Sequence, residues 1–162
     1  MTDYPRVFLN SKEEREINQG FPWVFDNEIS HLKVADKDGK FENAAFKDCK
    51  IKPGTPVEIF TKAGGFLGTG IFNKNSKITN RIISSDHALD VYKDIEGFWE
   101  KRISDAYNIR QLHYKSSDSY RLIFAEADLV PGFVCERYCD QDEKVYLVVQ
   151  VLSMSCEVFR KE

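Results

Sequence analysis

Glu126 and Asp128 stand two residues apart in "AEADLVPG", just ahead of Pro131-Gly132. Paired carboxylates can bind a metal ion or move protons. The same side chains can act as local caps in a solvated loop, which is the plainer reading of so short a stretch. Cys135 and Cys139 lie four apart, but no C-x-x-C pair occurs and His31, His87 and His113 are scattered along the chain. A zinc site needs convergent thiolates or imidazoles. Reduced, structural thiols therefore suit Cys49, Cys135, Cys139 and Cys156 better.

The stretch "GGFLGTG", residues 64–70, resembles a phosphate-binding loop at first sight. A dinucleotide loop needs G-x-G-x-x-G between a strand and a helix, so that helix amides meet the pyrophosphate. Here the order is different, and the following "IFNKNSKITNRI" has strand and turn character. Gly64-Gly65 is expected to make a hairpin turn, with Gly68 and Gly70 on one strand face. A backbone bared in this way could admit a nucleic-acid backbone. No G-x-S-x-G, H-E-x-x-H or P-loop stretch occurs, so motifs supply no catalytic residue.

Basic residues fall in short groups: Lys12 and Arg15, then Lys74, Lys77 and Arg81, then Arg102, Arg110 and Arg121. Any of these groups could meet phosphates. Taken singly, each is a solvated surface charge. The whole chain carries a net charge of −3, so RNA contact would require a local basic patch.

The elements that must position these residues follow from pattern. Arg6–Asn10 alternates like a strand. Ser11 and Glu14 have the spacing of a capping box for a short helix, which Gly20 and Pro22 would end. Trp23, Val24 and Phe25 can fill a small core. Residues 35–48 read as a polar loop or hairpin around Asp38-Gly39. Strands are expected at Val57–Phe60, at about Phe66–Phe72, and in "ITNRIIS". This suggests a small β-barrel. From Leu89 to about Leu112 the period turns helical, through Tyr92, Ile95, Trp99, Ile103 and Ala106. Two strands follow, about Phe133–Tyr138 and Val145–Leu152. Residues 153–162 begin like a helix capped by Ser153 or Ser155, which reads as the start of a link to a further domain.

The 162 residues include 42% hydrophobic, 13% aromatic and 30% charged residues, enough for a core without a disordered composition. The longest apolar stretch is too short to span a bilayer. No basic-then-apolar leader is visible, so a cytoplasmic home is the default expectation.

Several segments, taken in order, resemble the ribosomal RNA large subunit methyltransferase I type. "RVFLN…EREINQGFPWVFDNEI" is similar to its opening strand, helix and His-Pro-Trp-Val-Phe stretch, with Phe21 in place of His. "GGFLGTGIFNKNSKITNRI" is similar to its glycine-containing hairpin and the strand after it. In "YRLIFAEADLVPGFVCERYCDQDEKVYLVVQVLS", Arg121, Glu126, Asp128, Pro131, Gly132 and Arg137 fall on its pattern, as do Tyr138, Asp140, Gln150 and Ser153. Ala125, Leu129 and Cys139 stand where that family has Gly.

The resemblance implies an α+β chain. A PUA-like RNA-binding barrel would occupy residues 1–75, a strands–helix–strands segment 76–152, and a link 153–162. The catalytic Rossmann-like domain and its S-adenosylmethionine would lie outside this chain, which would hold no cofactor and no metal. The function implied is RNA binding for a SAM-dependent methyltransferase, with transfer to a cytosine C5 of ribosomal RNA. Lys12, Arg15, Lys74, Lys77 and Arg81 would contact RNA. The loop with Arg121, Glu126, Asp128, Pro131 and Gly132 would face the active site or the next domain. RNA, the catalytic domain and a second copy of the chain are the expected partners, and no membrane. The rival is a free-standing RNA-binding or adaptor module without catalysis.

Overall fold

The computed structural model describes residues 4–160, so the ends of the expected 1–75 and 153–162 segments lie outside it. The chain forms two compact units, Met1–Lys93 and Asp94–Glu162.

The first unit contains β1 (Arg6–Leu9), α1 (Glu14–Asn18), β2 (Trp23–Phe25), β3 (Ile29–Ala35), β4 (Phe41–Ala44), β5 (Pro56–Phe60), β6 (Phe66–Phe72), β7 (Ile78–Ser84) and α2 (Ala88–Tyr92). Its strands build one curled sheet in the order β2-β7-β6-β5-β1-β3-β4. Among the described residues only β1 and β5 pair in parallel. Alternation along the strands turns Val7, Leu9, Leu32, Val57 and Ile59 inward, where Val24, Ile29 and Phe72 join them in a dry core.

The second unit contains α3 (Ile95–Gln111), β8 (Tyr120–Phe124), β9 (Phe133–Cys139), β10 (Val145–Val151) and α4 (Met154–Glu157). Its sheet runs β10-β9-β8, antiparallel throughout. Ala106 of α3 packs with Ile123, Val130 and Cys135 beneath it.

Four expectations change. The boundary moves from residue 75 to residue 93, because β7 pairs with both β6 and β2 and cannot leave the first sheet. The helical stretch from Leu89 breaks in two. Asp94 leaves helical geometry, and its Oδ1 accepts the Gly97 N–H at 3.1 Å, which starts α3 afresh. The Ser11–Glu14 capping box does not form; Glu13 occupies the cap position of α1 without a side-chain bond. Tyr120–Phe124 is a third strand of the second sheet, its hydrophobic alternation too short to stand out from the neighbouring loop.

Candidate nucleic-acid interface

In the first unit Lys74 and Lys77 lie in the turn between β6 and β7, and Arg81 lies on β7 itself. Arg81 is paired across the ladder with Trp23 of β2, an edge strand. Its guanidinium carbon sits 5.3 Å from the Trp23 ring centroid. Phe21 and Phe25 meet Trp23 edge-on at 5.4 and 6.4 Å. A cation over an aromatic cluster is therefore the feature of this edge, and Lys77 stands exposed beside it. Lys74 has a different task. Its Nζ donates to the Cys49 carbonyl at 3.0 Å and ties that loop to the hairpin.

Lys12 and Arg15 are exposed on and before α1, where Glu13, Glu14 and Glu16 surround Arg15 in sequence. The Glu28 carboxyl is pushed above the usual range, first by burial, and further by Glu13 and Glu16. The field near α1 is thus acidic, which weakens Arg15 as a phosphate contact relative to Lys77 and Arg81.

The glycine strand is not a bare face for a ligand. A Cβ on Gly68 would lie 2.6 Å from the Ser84 carbonyl oxygen, and one on Gly70 would lie 3.0 Å from the Arg81 carbonyl oxygen. The backbone that these glycines admit is β7. Gly64, at φ +93°, makes the turn as expected.

In the second unit the loop singled out by sequence is a set of internal anchors. Asp128 is clasped by Arg110 of α3 through Nη1–Oδ1 at 2.5 Å and Nη2–Oδ2 at 2.6 Å, with side chains 7% and 15% exposed. Asp128 Oδ2 also accepts the Phe124 N–H at 2.6 Å. Arg121 instead pairs with Glu136, Nη2 to Oε1 at 2.6 Å. The Pro131 carbonyl accepts Ser153 Oγ and Ser155 Oγ, both at 3.1 Å, and the Gly132 carbonyl accepts the Leu152 N–H at 2.8 Å. Gly132 has φ +77°, and a Cβ there would collide with Ser153 Oγ. Asp128 is therefore committed to Arg110 and the Phe124 N–H, and among the described residues no group of three or more His, Cys, Asp or Glu side chains could hold a metal ion. The sequence offered Arg110 only as a phosphate contact; its helical register to Asp128 gave no signal.

Two further features stand out. Strand β10 exposes Leu147, Val148 and Val149 at 57%, 46% and 51%. An apolar groove of about 830 Å³ lies in this unit, lined by Trp99, Ile103, Tyr107, Val149, Val151 and Phe159 among others. Burial pushes the Cys156 thiol at its margin up to about 11, so it is a poor nucleophile at neutral pH. Among the described residues no helix is long and apolar enough to cross a membrane.

Comparison with known proteins bears on the fold and its boundaries. Residues 7–85 match the model of the PUA-like domain family, a range that ends just after β7. The chain is 30% identical over 160 residues to the ribosomal RNA large subunit methyltransferase I of Salmonella arizonae, covering 98% of this chain and 34% of the relative. The protein of the same name from Tolumonas auensis is 30% identical over 160 residues, covering 96% and 34%. The chain thus spans about a third of the curated relatives it matches. Its fold is shared with a solved structure from Streptococcus mutans described as a candidate SAM-dependent methyltransferase, at TM-score 0.64 and 18% identity over 96% of this chain and 35% of that one. A candidate methyltransferase solved in complex with SAH superposes at TM-score 0.62 and 18% identity, covering 95% of this chain and 34% of that one. Residues 7–85 are accordingly similar to the PUA-like domain family, and the chain as a whole is similar to about a third of a ribosomal RNA methyltransferase.

Proposed function

We propose that this chain is the RNA-contacting part of an S-adenosylmethionine-dependent RNA methyltransferase. In the whole protein the methyl group would go to a cytosine C5 of ribosomal RNA. The observation that carries the reading is the collinear likeness to the methyltransferase I relatives across 98% of this chain. The glycine stretch does not suit S-adenosylmethionine. It is followed by a strand, and its closest approach is filled by β7. The reading places the cofactor in the part of the relatives' length that this chain does not span, and no catalytic step is assigned to this chain.

Within the chain, Lys77 and Arg81 are the leading RNA contacts. Lys12, Arg15 and Lys74 contribute less, for the reasons of charge and anchoring above. Residues Arg121, Glu126, Asp128, Pro131 and Gly132 form the loop proposed to face the catalytic part. The exposed apolar strand β10 suits a contact with further protein.

The test is a titration of labelled ribosomal RNA fragments at several salt concentrations. Affinity should fall with salt. Lys77→Glu with Arg81→Glu should weaken binding and lower the slope of log K against log salt by about 1 for each phosphate no longer neutralised. Absence of binding at low salt would refute the reading.

A further inference from the structure

The outward face of the sheet across β3, β1, β5 and β6 is aromatic. The alternation that buries Val7, Leu32 and Ile59 puts Arg6, Phe8, His31, Lys33 and Phe60 on the opposite side. Strand register then aligns them. Phe8 lies opposite His31 on one side and Phe60 on the other; Arg6 lies opposite Lys33 and Glu58.

The rings form a continuous row. His31 stacks on Phe8 at 4.5 Å between centroids, with 8° between planes. Phe8 stacks on Phe60 at 5.3 Å. Phe60 meets Phe66 edge-on at 5.6 Å, and Phe66 stacks on His87 at 3.8 Å. Phe8 is the floor, only 7% exposed. Phe60 and Phe66 are half-buried, and the His87 side chain is 55% exposed.

Two cations rest on this row. The Arg6 guanidinium carbon lies 4.1 Å from the Phe41 centroid and 5.7 Å from that of Phe60. Lys33 Nζ lies 4.9 Å from the Phe8 centroid. Among the described residues no carboxylate pairs with either, and Arg6 Nε is buried without a hydrogen-bond partner. The carboxylate of this face, Glu58, is held by the last ring of the row and the backbone beside it. It accepts from His87 Nδ1 at 2.8 Å and from the Ala88 N–H at 3.3 Å.

Cross-strand stacking would by itself explain the rings as sheet support. It does not explain two flanking cations that have no carboxylate partner among the described residues. Rings with flanking cations are the elements of a single-strand platform: bases stack, and phosphates meet the charges.

We propose that this face binds single-stranded RNA, with unpaired bases stacked on Phe60, Phe66 and His87 and phosphates at Arg6 and Lys33. It is an RNA contact separate from the Lys77–Arg81 edge. The proposal rests on the reading of the first unit as RNA-binding. Because every base has a π face, the contact is tolerant of sequence but selective against duplex, whose bases are already stacked.

The test uses the 162-residue chain and a single-stranded RNA of about twelve nucleotides, within the range of known single-strand sites. One copy carries 2-aminopurine, one carries 5-iodouridine, and one is annealed to its complement. Single-stranded RNA should bind, with 2-aminopurine emission changed by stacking, and should bind about tenfold better than duplex. Phe60→Leu with Phe66→Leu should weaken single-strand binding about tenfold and leave duplex binding unchanged. Arg6→Gln with Lys33→Gln should lower the salt slope. Photocrosslinks to the unaltered protein should fall in peptides containing Phe60, Phe66 or His87, a readout that no folding defect can obscure. Crosslinks elsewhere, with leucine variants that melt like the parent and bind single strands unchanged, would overturn the proposal. A face that serves a protein partner would give that same result. If Lys77→Glu with Arg81→Glu still weakens binding then, the RNA reading survives without this face. If no RNA binds at low salt, both fall.

Discussion

Ala125 and Leu129 carry positive φ, 45° and 60°. These are two of the positions where the family resembled by the sequence has Gly. The backbone keeps a glycine-like shape without the glycine. A side chain in the left-handed region costs about 1–2 kcal/mol, while Gly loses part of this gain through its freer unfolded chain. Leu129 is 59% exposed, so truncation would sacrifice little packing. Leu129→Gly should therefore raise stability by about 1 kcal/mol, read as a higher urea midpoint with an unchanged slope. Gly132 shows the converse. Its φ of +77° and the Ser153 side chain behind it leave no room for a Cβ. The Pro131-Gly132 pair announced a turn in the sequence; the crowding by Ser153, twenty-one residues later, was silent there.

The loop after β8 is held as an element, by one largely buried ion pair. Arg110 and Asp128 bond at two points, and Asp128 also holds the Phe124 N–H. Removing one partner of such a pair leaves the other charge buried. Arg110→Met should lower stability by about 3 kcal/mol. Adding Asp128→Asn, which keeps an acceptor for Phe124, should recover part of the loss. A double-mutant cycle by chemical denaturation reads the coupling, and additive effects would contradict this account. Sequence pattern located both halves of this element but not their union. The 3.6-residue period marks the α3 face, while the distance from α3 to the loop depends on how the helix lies on β8. The same period ran through Asp94 without showing the break, because an N-cap and a helix interior share neighbours of similar hydropathy.

At the scale of the molecule the chain divides at Lys93/Asp94. The first unit contains its own core, all seven strands of its sheet, and α2, anchored by the Glu58 bonds to His87 and Ala88. Residues 1–93 should fold when expressed alone, with strand-type circular dichroism and one cooperative thermal transition. A chain cut at residue 75, the boundary that the resemblance implied, lacks β7. It strands β2 and bares β6, so it should aggregate or remain unfolded. The strand alternation, the hairpin turn at Gly64 and the α+β class were legible from residues alone, since they are set by neighbours within a few positions. The ordered motifs also carried the likeness to a methyltransferase. Pairing across the sheet was left to the tertiary structure. It decided that β7 closes the first unit, that Gly68 and Gly70 serve β7 rather than a ligand, that Asp128 belongs to Arg110, and that five rings from distant segments form one row. Each of these depends on contacts between residues far apart in the chain, whose register no local pattern encodes.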